Sequence, residues 1–312
     1  DLPDPAPYLA DCPPPAAQAG EPAPNALFFV STDLPDCREG DFRFAGFRHA
    51  RVTHGLSDQI SEIGKGGSTS PYTEDAWLAM LRQRLAAGDN GGRLLVYIHG
   101  YNNRFDEVLD AGWLTARAWF SDVPVVLIRW PSRASATDYV FDEGSIDWSQ
   151  KQIDRTLMQL AQLDARITVV AHSMGSRAAV AGLARIDRER PDLSPKLERL
   201  VLASPDIDRA TALGEGGVLE SLLAQGRQVL VYTSRRDVPL ALLTTLGAVT
   251  LLYMAIIWAF LAIGPGTGGE DNALAGAAEV SMGQFGAFAI VFAAAFSIAG
   301  NNFQGGAPAT SH

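Results

Sequence analysis

Between residues 93 and 233, short apolar runs alternate with longer segments in which apolar residues recur every three or four positions. The short runs favour buried strands, and the periodic segments favour amphipathic helices. The predicted strands are residues 93–98, 123–130, 166–171, 197–203 and 228–233. The predicted helices are residues 105–120, 147–163, 174–186 and 218–224. This alternation indicates βαβ crossovers, so we expect an α/β fold with a mainly parallel sheet covered by helices on both faces.

The N-terminal part of the chain is less regular. Residues 26–32 favour a first strand, residues 43–52 a second strand or hairpin arm, and residues 74–87 a helix. Before them, residues 1–25 contain eight prolines. Because proline favours extended backbone, this stretch is predicted to be an extended, weakly packed leader.

The C-terminal part has a different composition. No Lys or Arg follows Arg236, and residues 240–263 and 280–299 carry no charge. A helix of about 20 apolar residues spans a bilayer core of roughly 30 Å. The sequence therefore predicts a two-helix transmembrane hairpin that follows a soluble domain over residues 26–239 and ends in a short tail over residues 300–312. Two helices buried in a soluble core are the alternative.

Composition excludes several classes of function. The chain has 25 basic and 35 acidic residues, a net charge of −10 that argues against nucleic-acid binding. The two cysteines, Cys12 and Cys37, are too few for a disulfide framework and lack the spacing of metal ligands. We expect two free thiols, with a Cys12–Cys37 disulfide as the alternative. No phosphate-binding loop follows a strand, so neither a metal nor another cofactor is expected.

The main chemical signal is the segment 171–175, Ala-His-Ser-Met-Gly, between a predicted strand and a predicted helix. Small residues on both sides of a serine at such a junction are typical of a nucleophile elbow. Ser173 would be the nucleophile, and the backbone N–H of Met174 would face the developing oxyanion. The alternative is a serine that only caps a helix.

Two further segments lie where such a site needs them. His99 and Gly100 directly follow an early buried strand, which makes the N–H of Tyr101 the second oxyanion donor. His99 is expected to brace this loop rather than transfer protons. Asp237 follows the strand 228–233 and comes after Ser173 in the order expected for a triad acid.

Other residues at the predicted strand ends have more than one interpretation. Asp206 and Asp208 are the alternative acids, or they line a pocket or cap the next helix. Trp130 either walls an acyl pocket or forms a structural Trp-Pro turn, and Arg133 could contact an anionic group.

Five segments carry a resemblance to a known family. They are residues 96–103, 130–133, 171–175, 203–208 and 234–237. In these segments the chain resembles the bacterial α/β-hydrolases of unknown function called DUF900, an esterase/lipase-like group. The resemblance implies an α/β-hydrolase fold, Ser173 as nucleophile, Asp237 as acid, and an ester or related acyl compound as substrate.

The chain departs from the family pattern at the catalytic base. The family pattern has a strand and then a histidine after the acid, whereas the only histidine after Asp237 is His312. His172 adjoins the nucleophile, but its side chain is expected to point away from the serine hydroxyl. The open alternatives are a fold-back of His312, a substitute base among His49, His54 and His99, a base from a partner, a truncated sequence, and an inactive site.

Two functions therefore remain. The first is a membrane-anchored serine hydrolase of the esterase type. The second is an inactive hydrolase-like subunit that docks other membrane proteins. We expect location in the bacterial inner membrane. The arginines before the first span favour a cytoplasmic domain, whereas Asp1 in place of Met and the proline-rich leader suggest export. We expect the cytoplasmic side.

Overall fold

The computed structural model describes residues 3–21, 26–57, 69–87, 91–109, 123–133, 135, 137–208, 212 and 217–233. The chain divides into two units, Asp1–Ser234 and Arg235–His312. The described residues all belong to the first unit.

Eight strands and five α-helices are described from end to end in this unit, in addition to the helical residues 105–109. The strands are β1 (Leu27–Asp36), β2 (Arg43–Ser57), β3 (Thr69–Tyr72), β4 (Arg93–Ile98), β5 (Val125–Arg129), β6 (Arg166–His172), β7 (Leu197–Ala203) and β8 (Gln228–Tyr232). The helices are α1 (Ala6–Leu9), α2 (Glu74–Ala87), α3 (Tyr139–Ala161), α4 (Gly175–Glu189) and α5 (Val218–Ala224), and a 3-10 turn spans Ser194–Lys196.

All eight strands form one sheet in the order β3-β2-β1-β5-β4-β6-β7-β8. Six strands run parallel to one another, namely β1, β5, β4, β6, β7 and β8. The strand β2 pairs antiparallel with β1, and β3 pairs antiparallel with β2 at the edge of the sheet. The predicted α/β fold with a mainly parallel sheet is therefore confirmed. The strand β4 lies between β5 and β6. After β4 the chain therefore adds β5 on one side of this strand and then crosses over to add β6 on its other side. In open α/β sheets, ligands bind at the carboxyl ends of the strands at such a switch point.

Two apolar clusters cover the two faces of the sheet. Alternate residues of a strand point to opposite faces, so Ile128 joins the larger cluster with α2, α3, α4 and α5, while Leu127 joins the smaller one. The smaller cluster includes Val108 and Leu109 from the helical residues 105–109. The central strand β4 is buried on both faces, which is why its sequence is continuously apolar.

Some boundaries differ from the predictions. Helix α3 begins at Tyr139 rather than at residue 147, because the apolar residues at its start, Tyr139 to Phe141, are adjacent instead of helically spaced and Gly144 follows them, which gives little periodic signal. Strand β3 was not predicted, since its four residues, Thr-Ser-Pro-Tyr, have no alternating pattern. Of the predicted helix 105–120, residues 105–109 are described and are helical.

The predicted transmembrane hairpin and the tail 300–312 lie outside the described residues. Within the described part of the chain, no helix has the length and apolar character needed to cross a membrane.

The N-terminal segment contacts the domain at a few points, although most of its described residues are exposed. Its first part forms the one-turn helix α1, and the N–H of Cys37 donates to the carbonyl of Tyr8 at 3.1 Å. Ala16 forms a parallel bridge with Tyr72 of β3. Cys12 and Cys37 form a disulfide, so the expected free thiols are wrong. The reason is that α1 turns the chain back and brings Cys12 next to the end of β1.

The disulfide gives a first prediction. We expect the double variant Cys12→Ala/Cys37→Ala to lose about 2–4 kcal/mol of unfolding free energy, because the bond closes a loop with a sequence separation of 25 residues. Urea unfolding of the oxidised wild type, the reduced wild type and the variant measures this loss. The reduced wild type should match the variant, and equal stability of all three proteins would contradict the prediction.

Candidate active site

Ser173 lies in a strained turn between β6 and α4. Its backbone φ is 48°, a left-handed value that residues other than Gly, Asn and Asp rarely adopt. The N–H of Ser173 donates to the carbonyl of Ala203 at 2.9 Å, and its own carbonyl accepts from Ser176 at 3.0 Å and from Asp206 at 3.1 Å. This strand, strained serine and helix have the geometry of a nucleophile elbow.

Gly100, which follows β4, packs directly against the elbow. A Cβ at Gly100 would lie 2.6 Å from Nδ1 of His172 and 2.9 Å from Cβ of Ser173. The loop after β4 therefore approaches the serine as closely as a residue without a side chain allows. This contact places Tyr101, the predicted oxyanion donor, one residue from a position that touches Ser173.

Gly175 allows α4 to approach β4 from the other side of the elbow. A Cβ at Gly175 would clash with the carbonyl oxygen of His99 and would lie 2.8 Å from that of Ile98. Both are backbone atoms of the neighbouring strand end, so they cannot turn away as a side chain can. The small residue after Met174 is thus required by the packing of the helix against the sheet.

His99 is fully buried behind the elbow. One ring nitrogen, Nδ1, lies 2.7 Å from the carbonyl of Gly100 and faces only this acceptor. The other, Nε2, accepts from the N–H of Trp130 at 3.2 Å and lies 3.1 Å from the carbonyl oxygen of the same residue. These partners favour the Nδ1–H tautomer. The ring stacks on that of Trp130 with centroids 4.7 Å apart, and the Trp130 indole N–H donates to the carbonyl of His99 at 2.9 Å. Both ring nitrogens of His99 are therefore engaged by backbone, and Trp130, 0% exposed, does not line an open surface.

The burial of His99 predicts that its ring stays neutral in acid. Burial lowers the pKa of His99 to about 3. The ring resonances of His99 should not titrate between pH 8 and pH 4.5, whereas those of His49, whose pKa burial lowers to a smaller extent, should titrate at a higher pH than those of His99. An NMR pH titration of the histidine ring carbons measures both. Because the unfolded chain binds a proton near pH 6.5, His99 stabilises the fold above that pH and loses this contribution as the pH falls toward 3.

Asp142, in the first turn of α3, is a site residue that sequence reasoning missed. Its side chain is 0% exposed. It accepts the hydroxyl of Ser132 at 2.6 Å, the N–H of Asn102 at 3.1 Å and the N–H of Arg133 at 3.0 Å. The N–H of Asn103 in turn donates to Oγ of Ser132 at 3.2 Å. One carboxylate thus joins the loops that follow β4 and β5.

Asp206 is held by a cluster of polar side chains beside the elbow. Its carboxylate accepts the hydroxyl of Tyr139 at 2.6 Å and a guanidinium N–H of Arg177 at 3.1 Å. Arg177 also pairs with Glu143 at 2.6 Å. Burial and the hydrogen bond to Asp206 raise the pKa of Tyr139. This carboxylate is committed to Tyr139 and Arg177, which favours a role in holding the loop after β7 over a role as triad acid.

The structure brings together only part of the predicted constellation. Ser173, Met174 and Tyr101 lie at neighbouring strand ends, whereas Asp237 and His312 lie outside the described residues.

The other candidate bases lie on β2. His54 is 6% exposed, and its ring centroid lies 5.3 Å from that of Trp77. Nδ1 of His49 donates to the carbonyl of Arg51 at 3.2 Å. Two strands, β1 and β5, separate β2 from β4, so neither ring is near the elbow. In the described part of the chain, no three His, Cys, Asp or Glu side chains are arranged to hold a metal ion.

The fold and the elbow define the class of protein as an α/β hydrolase. The family model for the alpha/beta hydrolases of unknown function (DUF900) matches residues 73–251, which is more than half of the chain. The chain therefore belongs to this family, as the sequence motifs predicted. Membership in this family supports a hydrolase-type function.

Comparison with other proteins adds only remote similarities. The esterase Est22 is 15% identical, with a TM-score of 0.27 over 59% of this chain and 45% of its own. The FE-lacking apo form of ESTFA is 12% identical, with a TM-score of 0.25 over 75% of this chain and 62% of its own. The chain thus spans less than two thirds of either protein, and such remote likeness carries no statement about activity. A search of curated proteins found no match.

Proposed function

We propose that the protein is a serine hydrolase of the esterase type with Ser173 as its nucleophile. The observation that carries the proposal is the strained backbone of Ser173, φ 48°, at the junction of β6 and α4. Strained side-chain-bearing residues cluster at functional sites. A serine that only caps a helix needs no such conformation, because a capping residue has ordinary extended backbone.

The proposed reaction is acyl transfer to the serine. The Ser173 oxygen attacks the ester carbonyl, its proton passes to a histidine, and the carbonyl oxygen becomes an oxyanion held by the N–H groups of Met174 and Tyr101. The intermediate collapses, the alcohol leaves with that proton, and water then releases the acid from the acyl-enzyme. Because His99 is engaged on both nitrogens, we assign the base to His312, oriented by Asp237.

Labelling with a fluorophosphonate probe tests this function. Such probes react only with an activated serine, so the full-length wild type in detergent should be labelled and Ser173→Ala should not. Ser204→Ala is a matched control, since Ser204 also follows a parallel strand and also has a positive φ, 45°, but no helix begins directly after it. Labelling of Ser204→Ala should equal that of the wild type.

The absence of labelling in a folded wild type would overturn the proposal. That result would favour the second function, an inactive hydrolase-like subunit that docks membrane proteins. Replacement of His312 by Gln separately tests the base, and unchanged labelling of this variant would exclude His312 without affecting the assignment of Ser173.

We also propose that residues 240–263 and 280–299 anchor the protein in a membrane and that the hydrolase unit faces an oxidising compartment. The support for the second part is the Cys12–Cys37 disulfide, since disulfides persist in the periplasm and are rare in the cytosol. This reverses the cytoplasmic side expected from the arginines before residue 240. Long domains translocate largely regardless of charge, which weakens that expectation.

Two measurements test the location. Full-length protein should remain in the membrane fraction after alkaline carbonate extraction, and release into the aqueous fraction would contradict the anchor. Cells treated with a maleimide before lysis should yield protein whose cysteines become reactive only after reduction. Cysteines alkylated without reduction would place the hydrolase unit in a reducing compartment.

A further inference from the structure

We infer that Asp142 is a positioning residue for the oxyanion donor at Tyr101. The inference rests on the proposed serine hydrolase function and extends it to a residue that contacts neither the serine nor a substrate. It starts from the three hydrogen bonds that Asp142 accepts from the loops after β4 and β5.

Asp142 is the acceptor in all three of these hydrogen bonds. Oδ2 of Asp142 receives the Ser132 hydroxyl and the Asn102 N–H, and Oδ1 receives the Arg133 N–H. An ionised carboxylate has about four acceptor sites and no donor, so it satisfies all three. The side chain is 0% exposed, so bulk water does not reach these donors in the wild type. Its removal would leave buried donors unpaired, which forces the loops to move.

The contact with Asn102 reaches the oxyanion donor directly. Asn102 has a φ of 57°, a left-handed value that asparagine readily adopts, so the loop turns sharply there. On the other side of Tyr101, Gly100 is fixed by its packing against Ser173. Tyr101 thus lies between one residue fixed by the elbow and one fixed by Asp142. The orientation of its N–H follows from these two neighbours.

The first half of the experiment compares labelling rates of the full-length protein across probe concentrations. We expect Asp142→Ala to lower the maximal labelling rate on the order of 10²-fold, because a displaced oxyanion donor costs about that much. The half-saturating probe concentration should stay within about twofold of wild type. A loss of this kind separates positioning from a change in probe binding.

Conservative variants distinguish geometry from charge. In Asp142→Asn the amide oxygen can still accept from Ser132 and Asn102, so the loop after β4 stays held. The amide nitrogen cannot accept from the N–H of Arg133, so that one hydrogen bond is lost, and labelling should stay within about tenfold of wild type. Asp142→Glu keeps the charge but adds a methylene, which displaces the loop. We therefore expect Asp142→Asn to be labelled faster than Asp142→Glu. This order tests the positioning role even if Asp142→Ala does not fold.

Asp154→Ala is the matched control. Asp154 is a second buried carboxylate of α3, 4% exposed, but it binds Gln150 and Arg185 away from the elbow. It should lower stability and leave the labelling rate within about threefold of wild type. A wild-type rate in Asp142→Ala, an equal loss in Asp154→Ala, or Glu faster than Asn would each overturn the inference alone. An unlabelled wild type would overturn the proposed function as well.

Discussion

Gly175→Ala should unfold the elbow or release it from the sheet. The new Cβ would clash with the carbonyl of His99 and lie 2.8 Å from that of Ile98, and both atoms belong to the backbone of a central strand end. We expect a loss of about 3 kcal/mol or more, at the upper end of the range for overpacking. The labelling rate of Ser173 should fall at least about 10²-fold, since α4 and the serine would shift together. Urea unfolding and probe labelling measure the two effects.

A second glycine of the same helix provides the control. A Cβ at Gly182 would meet side-chain atoms rather than backbone, Cδ1 of Leu157 at 2.9 Å and Oδ1 of Asp154 at 3.0 Å. Alanine also favours helix by about 1 kcal/mol over glycine. Gly182→Ala should therefore change stability by no more than about 1 kcal/mol and leave labelling intact. Equal losses of stability and labelling in the two variants would show that the backbone contact at Gly175 is not the reason why this position needs a glycine.

Arg129→Met should destabilise the domain by about 3–5 kcal/mol at pH 8, because it leaves the buried carboxylate of Asp33 without its partner. The two side chains are 2% and 0% exposed, and Arg129 Nη2 lies 2.8 Å from Oδ2 of Asp33. Adding Asp33→Asn to the same chain should recover most of the loss. The amide oxygen introduced by this second change would still accept the N–H of Phe47, which now donates to Oδ1 of Asp33 at 2.9 Å.

The effect should depend on pH with a defined sign. Burial raises the pKa of Asp33 from 3.8 to about 6, so the folded state binds more protons than the unfolded state between these values. The free energy of unfolding then falls as the pH rises through this window. Loss of Arg129 raises the pKa of Asp33 further, and the penalty of Arg129→Met should shrink as the pH is lowered toward 5.

An exposed ion pair is the control for the buried one. Arg190 and Asp192 are paired at 2.7 Å with side chains 43% and 60% exposed. Arg190→Met should cost no more than about 0.5 kcal/mol, since exposed pairs contribute little. Urea unfolding at pH 8 and pH 5 measures all three variants. A penalty for Arg129→Met that is small or independent of pH would show that Asp33 is not held as a buried charge.

The parts of the fold with local signals were predicted from the sequence. The parallel strands were predicted because a strand that is buried on both faces has a continuous run of apolar residues, as β4 does. The strand, turn and helix around Ser173 were predicted because a nucleophile elbow needs small residues two positions before and after the serine, here Ala171 and Gly175. The membership in the hydrolase family followed from the same motifs.

The missed features depend on pairs that are distant in sequence. Asp142 precedes the periodic part of α3, and its partner Asn102 lies 40 residues away. Nothing in either local sequence indicates that they meet. The Cys12–Cys37 bond likewise depends on α1, which turns the chain back. A proline-rich stretch does not predict such a helix. A buried carboxylate needs its whole surroundings to be recognised, because an isolated Asp in a helix is usually solvated.

The carboxylate of Asp142 couples the loops after β4 and β5, so the two loops can be replaced only together. Any transplant of residues 100–103 from a related enzyme would bring a loop shaped to another partner, and the backbone at Asn102 would lose its acceptor. A graft that carries residues 100–103, 130–133 and the first turn of α3 together keeps every donor paired. Directed diversification of this protein should therefore treat the three segments as one cassette.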